Sequence, residues 1–453
     1  MSAIAGFKAY DYRARIPHEF NADVAYRIGR AYAEFLKPKR VVVGRDIRLS
    51  SKELCEALTE GLLDSGVDVY DIGLCGTEGV YFATFAEQMD GGIMVTASHN
   101  PPDYNGMKFV REQSRPISGD TGLKEIQKIA EANAYTAPAR KGQRFDLDTR
   151  SKYIDHLLSY LDRPKLKKLK IVVNAGNGGA GAIVDQLEAH LPFEFVKIHH
   201  EPDGTFPNGV PNPMLEDNRV ATSEAIRKHK ADLGVAWDGD YDRCFLFDET
   251  GAFIEGYYIV GLLASMFLKR EAGARIVHDP RLTWATVDMV KSLGGQAVLS
   301  KSGHAFMKDV MRQSDAIYGG EMSAHHYFRA FGYCDSGQIP WLLVAQLMCE
   351  SGKTLSSLVG ERIARFPASG EINRKVADAK ATIQRAREKY EPGSRTIDFT
   401  DGLSIEFDTW RFNLRSSNTE PLIRLNVESR GDAALMQAKT EELLKLIGGE
   451  IAH

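Results

Sequence analysis

Three aspartates at alternate positions, Asp238, Asp240 and Asp242, follow the apolar run Leu233–Trp237 and so stand just beyond the end of an expected strand. Hard oxygen ligands spaced in this way can converge on one divalent cation, and three neighbouring carboxylates repel one another unless a cation neutralises them. An EF-hand shares the first three acidic positions and would take Glu249 at its twelfth. Its sixth position must be glycine, however, and here it is Arg243, while Cys244–Phe247 reads as an apolar strand. Mg²⁺ is the natural occupant where phosphate is handled, because it shares carboxylates with phosphate oxygens. The alternative is a solvated acidic turn.

Thr96-Ala97-Ser98-His99-Asn100-Pro101-Pro102 also follows an apolar strand, which exposes the Ser98 hydroxyl in a loop at the strand end. Thr96 and Asn100 exclude the G-x-S-x-G elbow of serine hydrolases. By itself the heptad is either a nucleophile loop or a serine in a proline-terminated turn. Gly319-Gly320-Glu321-Met322-Ser323-Ala324-His325-His326 offers a carboxylate, a hydroxyl and two imidazoles, a set that suits sugar hydroxyls or a structural polar turn. Adjacent histidines lack the helical spacing of a zinc site. Arg415-Ser416-Ser417-Asn418-Thr419-Glu420-Pro421 brings guanidinium, hydroxyl, amide and backbone donors into a short loop, the chemistry of a phosphate cradle or of an ordinary turn.

Three repeats of a βαβ pattern must position these loops. The first runs from Arg40-Val41-Val42-Val43-Gly44 through a helix with Leu54, Leu58 and Leu62 on one face to Val67-Asp68-Val69-Tyr70. The second begins at Lys170-Ile171-Val172-Val173, passes Gly176-Asn177-Gly178-Gly179, and continues with Ile183, Leu187 and Leu191. The third begins at Arg275-Ile276-Val277-His278 and continues through Val287, Val290 and Leu293. Each is expected to return a parallel strand through its helix. Strand-like runs at 402–407 and 422–427 and a closing helix over 433–446 then indicate a smaller α+β domain. Turn-rich breaks give the expected boundaries 1–148, 149–251, 252–366 and 367–453.

The 453 residues exceed what one core usually serves, and 43% hydrophobic with 26% charged residues describes a globular chain. A net charge of −4 gives no global field for nucleic acid. The basic run 163–170 lacks interleaved aromatics and reads as a solvated connector. Five scattered cysteines without a C-x-x-C pair argue against disulfides and zinc, and fit a reducing cytosol. Asp11, Arg13 and Arg15 interrupt the N-terminus too early for a secretory signal. The apolar stretches 256–268 and 338–349 are shorter than the roughly 18 to 20 residues that span a bilayer, and are expected to be core helices.

Together, and in this order, the four motifs resemble those of the α-D-phosphohexomutase superfamily, most closely its bacterial phosphomannomutase group, over essentially the whole chain. That family carries T-A-S-H-N-P with a phosphorylated serine, D-G-D-x-D-R for magnesium, G-E-M-S-x-H for the sugar and R-x-S-N-T for phosphate. The likeness extends to Phe7-Lys8-Ala9-Tyr10-Asp11-Tyr12-Arg13 and to Lys301-Ser302-Gly303-His304. It departs at Ala14 and Ala324, where the family often has glycine, and at Arg281, which is lysine in some members.

The resemblance implies three similar α/β domains with mixed sheets and a C-terminal α+β domain around a central cleft. It further implies a cytoplasmic mutase that interconverts mannose 6-phosphate and mannose 1-phosphate and feeds GDP-mannose synthesis. Phospho-Ser98 would give its group to the sugar and recover the other from a hexose 1,6-bisphosphate, which also serves as activator. Mg²⁺ would sit on Ser98, Asp238, Asp240 and Asp242, with Arg243 in support and Lys108 and His304 moving protons. Tyr10, Arg13, Arg281, Glu321, Ser323, His325, Arg415, Ser417, Asn418 and Thr419 would bind substrate. Hexose phosphate is the expected partner, with neither nucleic acid nor membrane, and the chain is expected to be a monomer or weak dimer. Glucose phosphates, or both sugars, are the alternative substrates. An aspartyl phosphatase using Asp238 and Asp240 would leave the serine heptad unexplained, and a non-catalytic sugar-phosphate sensor would need neither Ser98 nor the aspartates.

Overall fold

Val41, Val42 and Val43 have no exposed surface, and their β-branched side chains favour the extended chain of Arg40–Arg45. This strand is central to a six-stranded sheet in a computed structural model that describes residues 3–416 and 422–451. The strands are β1 (Tyr12–Arg15), β2 (Arg40–Arg45), β3 (Asp68–Leu74), β4 (Gly91–Val95), β5 (Tyr104–Arg111) and β6 (Arg144–Asp146), in the order β1-β5-β4-β2-β3-β6. β2 is parallel to β3 and β4, while β5 is antiparallel to β4 and β1. The helix Ser51–Leu63 joins β2 to β3 and buries Leu54, Leu58 and Leu62. The chain then returns across β2 to β4. This reversal puts the carboxyl ends of β2 and β4 at the switch point where open α/β sheets bind ligands, and β4 runs there into the Ser98 loop.

The second sheet has the order β11-β10-β9-β7-β8, from β7 (Lys170–Asn174), β8 (Glu194–Ile198), β9 (Leu233–Trp237), β10 (Cys244–Phe247) and β11 (Phe253–Ile254). β7 is parallel to β8 and β9, and β10 pairs back on β9 with Cys244 opposite Trp237. The aspartate triplet is therefore the connection of an antiparallel pair, which excludes a calcium loop between two helices. The helix Ala180–Glu188 ends before Leu191, because Pro192 cannot continue it, yet Leu191 stays buried in the turn to β8. In the basic run, Lys168 and Lys170 pair with Glu194, and Lys165 with Asp162, as a surface connector would.

Residues Met1–Phe253 and Ala330–Gly352 form one compact unit. The returning segment earns its place through aromatics: Phe331 packs against Phe82, Phe85 and Tyr153, and Trp341 meets Trp237 and Phe195 edge-on. The Trp237 indole donates to the Gly337 carbonyl at 2.8 Å. Its helix, Ile339–Ser351, is buried from Ile339 to Gln346, where its side chains are almost all apolar.

Residues Ile254–Arg329 and Lys353–His453 form the other unit. Here β12 (Arg275–His278) is parallel to β13 (Gln296–Leu299) and β14 (Tyr318–Gly320), and β15 (His326–Phe328) is antiparallel to β14. The helix Gly256–Arg270 is buried from Gly256 to Leu268. The C-terminal sheet is antiparallel, with Trp410–Ser416 between Leu403–Glu406 and Leu422–Ser429, and it shares a core with the helices Ala379–Tyr390 and Ala433–Ile447. Three mixed α/β sheets and a C-terminal α+β layer are thus the observed architecture. Among the described residues no helix is long and apolar enough to cross a membrane.

Candidate active site

Ser98 sits immediately past β4 with φ +48°, a left-handed conformation that serine adopts only under local constraint. Its amide donates to the Thr96 hydroxyl at 2.9 Å. Gly239 explains the tight fit from the other side, since a Cβ there would stand 2.5 Å from the Ser98 carbonyl oxygen. The Ser98 hydroxyl donates to Asp238 Oδ2 at 2.8 Å and lies 3.0 Å from His99 Nδ1. Burial, with the charges of Arg243 and Arg13, pushes His99 well below the usual imidazole range, so the ring is neutral. Arg13, expected to bind substrate, donates to the Ala97 carbonyl at 2.7 Å and the Asn100 side chain at 2.5 Å and is anchored by Asp11 at 2.7 Å. Tyr10 is half-buried two residues ahead of β1.

The three aspartates are buried, and their carboxylate oxygens lie within 4.8 Å of one another. Arg243 donates to Asp238 at 2.8 Å, and Lys108, on β5 opposite Met94, donates to Asp240 at 2.7 Å and Asp242 at 2.5 Å. Burial alone would lower the Lys108 pKa, but Asp240 and Asp242 hold the ammonium above its ordinary range. Burial and the Asp240 charge push Asp242 well up. Asp240 Oδ1 is buried without a hydrogen-bond partner. An all-oxygen donor set with one orphaned buried oxygen beside crowded carboxylates fits a hard divalent cation.

The other unit assembles a second group. Glu321 and Ser323 lie in the turn between β14 and β15, where Ala324 takes φ +69°, a conformation that glycine adopts without steric cost. Glu321 accepts from Tyr327 at 2.6 Å, the Gly303 amide at 2.8 Å and Arg281 at 3.3 Å. Arg281 also donates to Asp279 at 2.6 Å and Ser323 at 3.2 Å and is only 3% exposed, so it braces the turn. His325 Nδ1 lies 3.7 Å from Glu321, whereas His326 is a core residue whose Nδ1 meets the Tyr318 hydroxyl at 2.7 Å, with burial pushing it down to about 3. His304 opens the helix His304–Ser314, directly after Gly303. Arg415 pairs with Glu371 at 2.9 Å, as does Arg424 at 3.3 Å. Burial alone would raise Glu371, but Arg415, Arg424 and Arg281 hold it down at about 2. Ser417, Asn418 and Thr419 lie outside the described residues.

Models of the phosphoglucomutase/phosphomannomutase family match the chain four times: alpha/beta/alpha domain I over residues 5–137, domain II over 151–251, domain III over 255–366 and the C-terminal domain over 371–445. The chain belongs to this family. It is 60% identical to a phosphomannomutase of Escherichia coli, across 99% of this chain and 100% of that one. It is 59% identical to a phosphohexose mutase of Xanthomonas campestris pv. campestris (strain B100), across 98% and 100%. Among solved structures, a phosphoglucomutase/phosphomannomutase family protein of Burkholderia thailandensis superposes with TM-score 0.88 at 32% identity, covering both chains fully. The parafusin of Paramecium shares the fold, with TM-score 0.79 at 18% identity, over 99% of this chain and 95% of that one. This phosphohexomutase is accordingly an isomerase that moves a phosphoryl group within a hexose phosphate, and its acidic cluster can hold a metal ion.

Several residues that hold these loops in place escaped the motif reading. Arg48 donates to the carbonyls of Ser98, Asn100, Pro101 and Tyr104 at 2.6 to 2.9 Å. Thr77 donates to Asp240 at 2.5 Å, and the Tyr241 hydroxyl accepts from the Gly76 amide at 2.8 Å. Arg411 plays the corresponding part in the other unit, donating to the carbonyls of Pro280 and Arg281 at 2.8 and 3.1 Å. Arg48 carried a usable signal, because Asp46-Ile47-Arg48 directly follows a strand, as Ser98 and the triplet do. Arg411 lies inside a strand and carried none. A separate cavity of about 460 Å³ beside Cys55 is lined by charges that pair among themselves, Arg144 with Asp71 and Arg150 with Asp148, and includes no residue singled out above.

Proposed function

We propose that this mutase interconverts mannose 6-phosphate and mannose 1-phosphate, carrying the phosphoryl group on Ser98. The observation that carries the reading is the Ser98 hydroxyl, 2.8 Å from Asp238 at the head of a buried aspartate triplet. Asp238, Asp240, Asp242 and Ser98 would hold Mg²⁺, which when bound supplies positive charge to a phosphoryl group in transfer. Asp238 orients the Ser98 hydroxyl and can receive its proton. Arg243 and Lys108 are fixed positive charges facing the same carboxylates, so negative charge building on the transferring oxygens meets preorganised cations. Phospho-Ser98 attacks no bond itself. A sugar hydroxyl oxygen attacks the phosphorus of phospho-Ser98 and gives up its proton, while the Ser98 Oγ–P bond breaks and the serine oxygen takes a proton. In the return half the Ser98 oxygen attacks the other phosphorus of the 1,6-bisphosphate, and the second sugar oxygen leaves with a proton.

In the other unit, Glu321, Ser323 and His325 would bind sugar hydroxyls, with Arg281 orienting the first two. Arg415, Ser417, Asn418 and Thr419 would hold the phosphate that is not reacting, Tyr10 and Arg13 would contribute to substrate binding beside Ser98, and His304 would exchange the sugar proton. Mannose and glucose differ at C2, and contacts to hydroxyls that both share discriminate weakly, so activity on glucose phosphate is expected as well. Steady-state kinetics on mannose, glucose and glucosamine 1-phosphates, each with its bisphosphate as activator, test the assignment. The highest kcat/KM is expected for mannose 1-phosphate. A glucosamine value above both others would overturn the reading, and phosphate recovered on Asp238 rather than Ser98 would overturn the mechanism.

A further inference from the structure

Phe206 has no place in the motifs above, yet it is 7% exposed and takes φ +51°, a conformation that bulky residues avoid. Its loop is held there from several sides. Asp203 accepts from the Thr205 amide and hydroxyl at 2.9 and 2.7 Å, the Asp203 amide donates to the Asn177 carbonyl at 2.9 Å, and Asn208 donates to the Asn177 side chain at 2.9 Å. Gly204 lets the loop touch the segment after β2, since a Cβ there would stand 2.3 Å from the Ile47 carbonyl oxygen. The effect of this turn is to lay the Phe206 ring over the guanidinium of Arg48, 5.2 Å from its centroid.

Arg48 is 4% exposed, and its two terminal nitrogens divide four carbonyl oxygens, those of Ser98, Asn100, Pro101 and Tyr104. Four acceptors on one planar fork fix the course of the Ser98 loop only if the plane itself is fixed. Asp46 lies 3.6 Å from Nε, which has no hydrogen-bond partner, so these contacts leave the face of the guanidinium to be held by something else. An aromatic ring supplies that contact, both by cation–π attraction and by keeping water from competing for the guanidinium.

We infer that Phe206 is a positioning residue for phosphoryl transfer, acting on Ser98 through Arg48. This rests on the reading of Ser98 as the phosphoryl carrier. It assigns a mechanistic part to the loop after β8, which contributes no group to the reacting centre. Displacing a nucleophile by a fraction of an ångström slows transfer without changing how the sugar is bound, so the signature is a fall in kcat with KM retained.

The test compares wild type with Phe206→Leu, which keeps an apolar side chain without the ring, and Phe206→Tyr, which restores it. Three readouts are taken well below each variant's thermal midpoint: steady-state kcat and KM, the single-turnover rate of Ser98 phosphorylation by hexose 1,6-bisphosphate, and amide exchange over residues 98–104. Phe206→Leu should lose about 10-fold in kcat and in phosphorylation rate, keep KM within about 2-fold, and exchange faster over 98–104. Phe206→Tyr should recover all three. A Phe206→Leu enzyme with a lower thermal midpoint but unchanged kcat and exchange would mean that the ring only fills space, and the inference would fall. If wild type itself gains no phosphate on Ser98, it is the underlying reading that fails. Should Phe206→Leu not fold, Arg48→Lys is measured in its place, since it keeps the charge but loses the fork. An unchanged Arg48→Lys kcat would equally overturn the inference.

Discussion

At the scale of single residues, the Ser98 hydroxyl makes polar contacts to Asp238 and His99 and adds little packing. Ser98→Ala removes one hydroxyl from a loop that Arg48, Arg13 and Thr96 still hold, so the circular dichroism spectrum and thermal midpoint should stay as in wild type while kcat falls at least about 1,000-fold. Near-native turnover in that variant would falsify the assignment. Glu78 poses a different problem, because it is wholly buried next to Thr77, its carboxylate oxygens have no hydrogen-bond partner, and burial pushes it up to about 8. Between about pH 4.3, where an unfolded glutamate ionises, and about pH 8 the native state holds a proton that the unfolded state has lost. Stability therefore falls as pH rises through that window and is full below it. Glu78→Gln removes the dependence, and its thermal midpoint should gain on wild type between pH 5 and pH 8, by up to about 5 kcal/mol in stability. Parallel pH profiles for the two proteins would show that Glu78 is ionised in the fold.

At the scale of elements, buried arginines do for loops what ladders do for strands. Arg411 reaches out of Trp410–Ser416 to the carbonyls of Pro280 and Arg281, and its charge is balanced by Glu428 at 2.8 Å. Glu428 in turn accepts from the Thr283 amide at 2.7 Å and from the Tyr257 hydroxyl. Replacing one partner of such a buried pair leaves the other uncompensated, so Arg411→Met should cost about 3 to 5 kcal/mol, read as a lowered thermal midpoint. An unchanged midpoint would mean that Glu428 finds another partner. The β14–β15 turn tests the opposite case. Ala324→Gly relieves a left-handed alanine but frees the unfolded chain, and these effects nearly cancel, so denaturation should shift by less than about 1 kcal/mol. A larger loss would show that the Ala324 methyl is needed for packing.

At the scale of the molecule, Ser98 and the three aspartates belong to one unit, and Arg281, Glu321, Ser323, His325 and Arg415 to the other. The aspartate triplet lies wholly in the first. Mg²⁺ added without substrate should raise the thermal midpoint of wild type, since a ligand that binds only the native state stabilises it, and should slow amide exchange around residues 77 and 238–242. Asp240→Asn should lose both effects together with most activity, and chelator should reduce wild type to the level of that variant. Full activity in excess chelator would leave the triplet a purely structural feature.

Much of this protein could be read from local sequence because the period of an apolar pattern and the end of a strand are local properties. Val41 to Val43, the helical spacing of Leu54, Leu58 and Leu62, and the strand before Ser98 needed no long-range information, and the parallel returns to β3, β8 and β13 followed from the handed connection of such units. The family was legible because four motifs recur in order. What local pattern could not supply was the set of partners brought from afar: Arg48 under Phe206, Thr77 on Asp240, Arg411 on the Arg281 loop, and residues 330–352 packed with the first unit. Residue type alone offered His325 and His326 equally and only the family motif chose His325; in the fold, His325 lies 3.7 Å from Glu321 while His326, on β15, meets Tyr318 in the core. A side chain's type limits what it can bond, but which carbonyl or carboxylate it meets is decided by the folding of segments that are distant in the chain.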